Sequence, residues 1–179
     1  MRVKRAVIIG SGKCDLPIKT WGNCHDYTLN YGQGQVTGYG FAGHIKEIEY
    51  YRANKIKFIA VSPCFEDLIV DDCIDSIKGD WDASRNNNWT DDDVRYYLKS
   101  AKENKDIGYQ NMLTVLHLAI YFCIKNGYAE IDLFGCQNNY DEIESSLAYD
   151  KEASPLMRKY TDAMVRLAPE FGILINWYK

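Results

Sequence analysis

The sequence predicts an α/β fold in three layers, with helices on both faces of a mostly parallel sheet of about four to six strands. Two observations predict it. Short apolar runs, each closed by a turn residue, alternate with segments of helical periodicity along the whole chain. The runs carry few polar residues, as strands buried on both faces do. With no internal repeat and no Pro/Ser-rich linker, the 179 residues read as one domain, 1–179.

The strands come first. Arg5–Ile9 is an apolar run that stops at Gly10-Ser11-Gly12. Residues 57–61 (Lys-Phe-Ile-Ala-Val) stop at Ser62-Pro63, and residues 130–134 (Glu-Ile-Asp-Leu-Phe) stop at Gly135. Residues 172–176 lie near the C-terminus, and residues 35–39 form a weaker fifth candidate. Between them, residues 44–54 place Ile45 and Ile48 on one helical face. Residues 66–77 space Ile69, Val70, Cys73, Ile74 and Ile77 for a helix, and residues 91–103 do so with Val94, Tyr97, Leu98 and Ala101. Residues 110–125 are apolar almost all round, which predicts a helix buried on several sides. Ser154 and Pro155 read as the cap and first position of a last helix, which stops before Pro169.

Composition narrows the function classes. A hydrophobic fraction of 46% with 26% charged residues excludes wholesale disorder. The net charge of −4, from 21 basic and 25 acidic residues, argues against a broad nucleic-acid surface. The longest apolar stretch, residues 113–124, is too short for a bilayer span, which needs about 20 residues. The basic start is followed by too brief an apolar run for a secretion signal. The six cysteines contain no CxxC pair and read as reduced thiols of a cytoplasmic protein.

In parallel α/β sheets, ligands bind outside the carboxyl ends of the strands, where strand order reverses. That rule selects the residues just after each strand. Gly10-Ser11-Gly12-Lys13 can turn tightly and offer backbone amides to a phosphate. The pattern is neither a Walker A loop nor a full dinucleotide fingerprint, and a plain turn competes with the ligand reading. The glycines between Gly32 and Gly43, interleaved with Tyr39 and Phe41, read as a loop able to wrap a ligand and stack a ring on it, or as a surface connection without function. His25 and His44 flank that stretch and could carry a proton near neutral pH, although a lone histidine is more often a packing residue.

Other clusters have plainer explanations. His117 lies in the apolar helix and reads as a satisfied core histidine. Cys14, Cys24, His25 and His44 match no common zinc spacing, and Cys64 as a nucleophile lacks a placed partner. Asp91, Asp92 and Asp93 read as the dipole-complementing first turn of a helix capped by Thr90 rather than as a metal site. No metal and no cofactor beyond a nucleotide ligand is expected.

Three segments together carry a resemblance: Val7-Ile8-Ile9-Gly10-Ser11-Gly12, then Lys57-Phe58-Ile59-Ala60-Val61-Ser62-Pro63-Cys64-Phe65, then Asn126-Gly127-Tyr128-Ala129-Glu130-Ile131-Asp132-Leu133-Phe134-Gly135-Cys136-Gln137. The chain resembles the Rossmann-like superfamily of small bacterial sialyltransferases that use CMP-sialic acid and of archaeal 6-hydroxymethylpterin diphosphokinase-like proteins. The resemblance implies a Rossmann-like sandwich and a nucleotide held by three post-strand loops. The matching positions are Gly10, Ser11 and Gly12, then Ser62 and Pro63, then Gly135 and Gln137. The chain departs from the pattern in four places: Ser11-Gly12-Lys13-Cys14 stands where the family has Asn or Gly followed by Gly-Pro-Ser, Gln137 replaces the acidic residue after the third segment, no Ser-Gly pair opens the long helix near Tyr109 to Thr114, and no histidine follows His117.

The leading expectation is a nucleotide-dependent transferase, glycosyltransferase-like, acting on a nucleotide sugar or nucleoside phosphate. Amides of Gly10 to Gly12, with Lys13, would hold phosphate. Ser62, Gln137 and Asn138 would read sugar or base, Pro63 and Gly135 would lie against the ligand, and Tyr39 or Phe41 would close over it. His25 or His44 would carry the proton. A second expectation, favoured by Gln137 and the missing late histidine, is a module that binds a nucleotide without turning it over. A third is a protein-interaction domain, suggested by the 14 tyrosines. A homo-oligomer is compatible with the sequence, which carries no specific sign of one.

Overall fold

The computed structural model describes residues 3–9, 25–29, 37–42, 49, 52–53, 58–61, 73–77, 88–105, 115–136 and 153–179. These residues form an α/β fold. Its strands are β1 (Arg5–Ile9), β2 (His25–Leu29), β3 (Thr37–Ala42), β4 (Phe58–Val61), β5 (Cys73–Ile77), β6 (Glu130–Phe134) and β7 (Leu174–Tyr178). Its longer helices among the described residues are α1 (Asp91–Lys102), α2 (Val115–Lys125) and α3 (Ala153–Leu167), the last running into a 3₁₀ turn, Ala168–Phe171. No helix among the described residues is long and apolar enough to cross a membrane.

One sheet holds all seven strands in the order β5-β4-β3-β2-β1-β6-β7. Its β1–β6, β6–β7, β3–β4 and β4–β5 pairs are parallel. β2 is antiparallel to both of its neighbours, β1 and β3. Every strand but β2 therefore points the same way, and the sheet is mostly parallel, as the apolar runs predict.

The differences from the sequence reading are local. The strand count exceeds the expected four to six because β2 and β5 were not read as strands. Residues 73–77, expected to end a helix, are β5. The Cys-Ile-Asp-Ser-Ile run follows helical spacing rather than strict alternation, and pairing with β4 overrides it. The weak strand at 35–39 lies instead at Thr37–Ala42. The last strand begins two residues later than expected, because Pro169 and its neighbours form the 3₁₀ turn and Gly172, at φ 69°, ends it in the left-handed region. Ser154 is not the cap of the last helix. The helix already includes Ala153, which puts Pro155 in its first turn, where a missing N–H costs little. The start of the helix expected at 110–125 and most of that expected at 44–54 lie outside the described residues, although Glu49, Arg52 and Ala53 are helical.

Alternation along the strands separates two faces. Ala6, Ile8, Ile131, Leu133 and Ile175 join Leu98, Leu116, Ile120, Tyr121, Tyr160 and Met164 in one buried cluster. α2 lies against β1, β2 and β3, α3 lies against β7, and α1 packs on both helices. The three helices thus share this face. α2 is buried around most of its circumference, from Leu116 through Tyr121, as its composition predicts. His117 is completely buried, with Nε2 3.0 Å from Thr161 Oγ1, while the Tyr97 hydroxyl donates to the His117 carbonyl at 3.3 Å. It is the core histidine expected from the sequence, and it ties α2 to α3 and α1.

α1 begins as its sequence requires. Thr90 is the N-cap, and its hydroxyl accepts from the Asp93 N–H while the Asp93 carboxylate accepts from the Thr90 N–H at 2.7 Å. Asp91 pairs with Arg166 at 2.7 Å and Asp92 with Arg95 at 2.9 Å. Hydrogen bonds from the Thr90 hydroxyl and then its N–H hold the Asp93 carboxyl below its ordinary value of 3.8. A lowered folded value means that the stabilisation is complete above that ordinary value and is lost as pH falls through the native one. Thr90→Ala is expected to cost about 1 kcal/mol in a urea melt at neutral pH, and Thr90→Ser to recover most of it. Equal losses in the two variants would show that the box does not hold the helix.

Candidate functional site

The strand ends are where the sequence expects the site. From β1 the chain steps to β2 and onward to β5, whereas β6 lies on the other side of β1 and the chain steps from it to β7. The connections leaving β1 and β6 therefore depart in opposite directions. Strand order thus reverses at β1, and in α/β sheets ligands bind outside the carboxyl ends of the strands at such a reversal.

The register sets which residues reach that edge. Asp26, Ile9 and Phe134 share one row across β2, β1 and β6, and Gly40 continues it on β3. Because β2 runs backwards, its first residue, His25, lies one step beyond that row, opposite Phe41. Gly135 lies one step beyond Phe134 on the other side. His25 and Gly135 thus flank the end of β1 at two strand spacings, about 10 Å apart. Gly135 has φ 63°, a left-handed turn that favours glycine and directs the chain as it leaves β6. Cys136 follows it, 1% exposed, with Sγ 3.2 Å from the Phe134 carbonyl oxygen and 3.8 Å from that of Ile8. The thiol anchors the chain after β6 to both strands of the switch. Cys136 was read from the sequence only as one of several scattered thiols.

The sequence-predicted residues divide into three groups. His25 and Gly135 come to the same edge. Tyr39 is not in a loop: it lies within β3, paired with Tyr27 and one row inside the edge, because Gly38 and Gly40 belong to the strand. Gly10, Ser11, Gly12, Lys13, His44, Ser62, Pro63, Gln137 and Asn138 lie outside the described residues, as do Cys14, Cys24 and Cys64.

Two further features surround the edge. The Phe134 and Tyr178 rings stack at 4.4 Å with an interplanar angle of 1°, on the face away from the helices. Sequence reasoning missed this pair because it ended the last strand before Tyr178. Toward the opposite end of the strands, Arg5 pairs with Glu130 at 2.7 Å, and the buried Asp132 accepts from Asn176 at 2.7 Å. Among the described residues, no group of three or more His, Cys, Asp or Glu could hold a metal ion.

A separate groove of about 540 Å³ lies between the start of α1 and α3. Trp89, Arg158, Lys159 and Tyr160 contribute to its walls, together with the Asp91–Arg166 ion pair. The Trp89 N–H donates to the Tyr160 hydroxyl at 2.8 Å and fixes its floor. None of the strand-edge residues lines this groove.

Comparison with protein-family models, with curated proteins and with solved structures finds no match to this chain.

Proposed function

We propose that the chain is a nucleotide-dependent transferase, glycosyltransferase-like, that takes its nucleotide sugar or nucleoside phosphate at the carboxyl edge of the β1–β6 switch. The observation that carries the reading is the reversal of strand order at β1 with His25 on one side and the left-handed Gly135 on the other. Backbone amides of Gly10, Ser11 and Gly12 would receive the phosphate as they leave β1, with Lys13 adding charge. Ser62, Pro63, Gln137 and Asn138 would contact sugar or base. His25, or His44, would move the proton between acceptor and leaving group. The protein would work in the cytoplasm and need no cofactor besides its nucleotide.

The same reading includes a three-layer, Rossmann-like sandwich. The steps from β3 to β4 to β5 run across the sheet in the opposite direction from that of β6 to β7. Right-handed crossovers would then put their connections on the face opposite α3. The helical residues Glu49, Arg52 and Ala53 lie in the first of them.

A thermal-shift panel of CMP, UMP, ADP, NAD and nucleotide sugars tests the site. A ligand at 100 times its dissociation constant adds about 2.7 kcal/mol, a rise of about 5–10 °C for a chain of this size. At least one member is expected to give it, and no shift with any member overturns the proposal. A second reading, binding without turnover, is favoured by Gln137 in place of an acid and by the absence of a histidine after His117. Release of free nucleotide from its conjugate separates the two.

A further inference from the structure

We propose that two copies of this chain pair through the outer edge of β7, antiparallel and in one defined register, to make a continuous sheet. β7 is the last strand of the order, and among the described residues nothing pairs with its outer side. The Leu174 N–H donates to the Ala129 carbonyl at 2.8 Å, so the backbone groups of Leu174 face β6. Alternation turns those of Asn176 and Tyr178 inward as well, and those of Ile175 and Trp177 outward. The outward N–H and C=O groups are the pairing template of an open edge.

Within β7 itself, the described residues lack the usual protection; the nearby Lys179 follows the strand and is held over the Trp177 ring at 4.2 Å and to Asp162 at 3.3 Å. Natural edge strands carry Lys, Pro or a bulge to discourage pairing. β7 reads Leu-Ile-Asn-Trp-Tyr, without charge, proline or register shift against β6. Its two exposed apolar side chains, Leu174 at 49% and Tyr178 at 48%, alternate onto the same face.

The strand is also complementary to itself. A two-fold axis through Asn176 sets Ile175 opposite Trp177 of the second copy, and each such pair exchanges N–H···O bonds because both residues face outward. Asn176 meets its own copy as a pair without backbone hydrogen bonds. Leu174 then lies directly opposite Tyr178 of the second copy, on the same face, and each exposed apolar residue covers the other. A shift by one residue would oppose outward groups to inward ones, and a shift by two would keep the backbone bonds but set Leu174 or Tyr178 opposite Asn176. One register therefore satisfies both the backbone and the side chains.

Sedimentation velocity across a concentration series, with the full chain, tests this. A concentration-dependent dimer is expected, and a monomer at every concentration overturns the proposal. Leu174→Lys with Tyr178→Lys sets like charges opposite each other at both symmetric contacts and is expected to weaken the dimer about tenfold or more. Leu174→Lys with Tyr178→Glu sets opposite charges there and is expected to restore most of that loss. Both double variants change half-exposed residues, and because Tyr178 also stacks on Phe134, a thermal melt of each variant checks that it folds before the dimers are compared. If the two weaken the dimer equally, or neither does, the contact is not this register and the proposal fails.

Discussion

His25→Ala is expected to lower the release of nucleotide from its conjugate by about 10²–10⁴-fold, while the thermal shift given by the same nucleotide stays nearly unchanged. The expectation follows from position. The antiparallel β2 delivers its first residue to the carboxyl edge, beside the end of β1 and one register step past Asp26. A histidine titrates near neutral pH and so suits the transfer of a proton to a leaving phosphate or from an acceptor. Loss of turnover with retained binding marks a proton carrier, because removing a binding contact would lower both. His25→Gln serves as the companion variant, keeping a polar side chain of similar reach without the titration. If both variants turn over like the parent, the proton moves through another group, and His44→Ala is the next test. If the parent shifts in melting but releases no nucleotide, binding without turnover is the better reading.

How much of this was legible depended on how strongly local sequence matched one template. β1 and β6 were plain in the sequence, because each is a short apolar run stopped by glycine and each is buried in a parallel pair. α1 was plain too, since Thr90 and its three acids announce the cap and Val94, Tyr97, Leu98 and Ala101 mark the stripe. β2 was not, because His-Asp-Tyr-Thr-Leu has polar residues at most positions and becomes a strand by pairing on both sides. β5 was hidden by its agreement with helical spacing, and Tyr39 by glycines that suggest a loop. The same limits applied to the site. The rule about strand ends selected Gly135 from sequence, and the direction of β2 is what brings His25 to that edge. No local pattern encodes that direction, since it depends on which strand β2 meets. The anchoring by Cys136 was equally invisible, because it requires β1 and β6 to be neighbours.

Ile9→Ala is expected to destabilise the fold by about 2–5 kcal/mol, as much as Ile8→Ala. The two residues are adjacent in β1, so their side chains point to opposite faces of the sheet. Ile8 is fully buried in the cluster formed with the helices, and its loss leaves a cavity there. Ile9 does not belong to that cluster, yet it is only 1% exposed, and Val7 on the same face is 0% exposed. An isoleucine on the bare face of a two-layer protein would remain in contact with water, and trimming it would cost little. Burial of Val7 and Ile9 is what the second covering layer of the proposed three-layer sandwich would give. Urea denaturation of the two variants, read with the slope as well as the midpoint, decides the matter. Equal costs support a three-layer sandwich. A full cost for Ile8→Ala with a loss below about 0.5 kcal/mol for Ile9→Ala would leave two layers, and would place the strand-edge site on an open sheet rather than between layers.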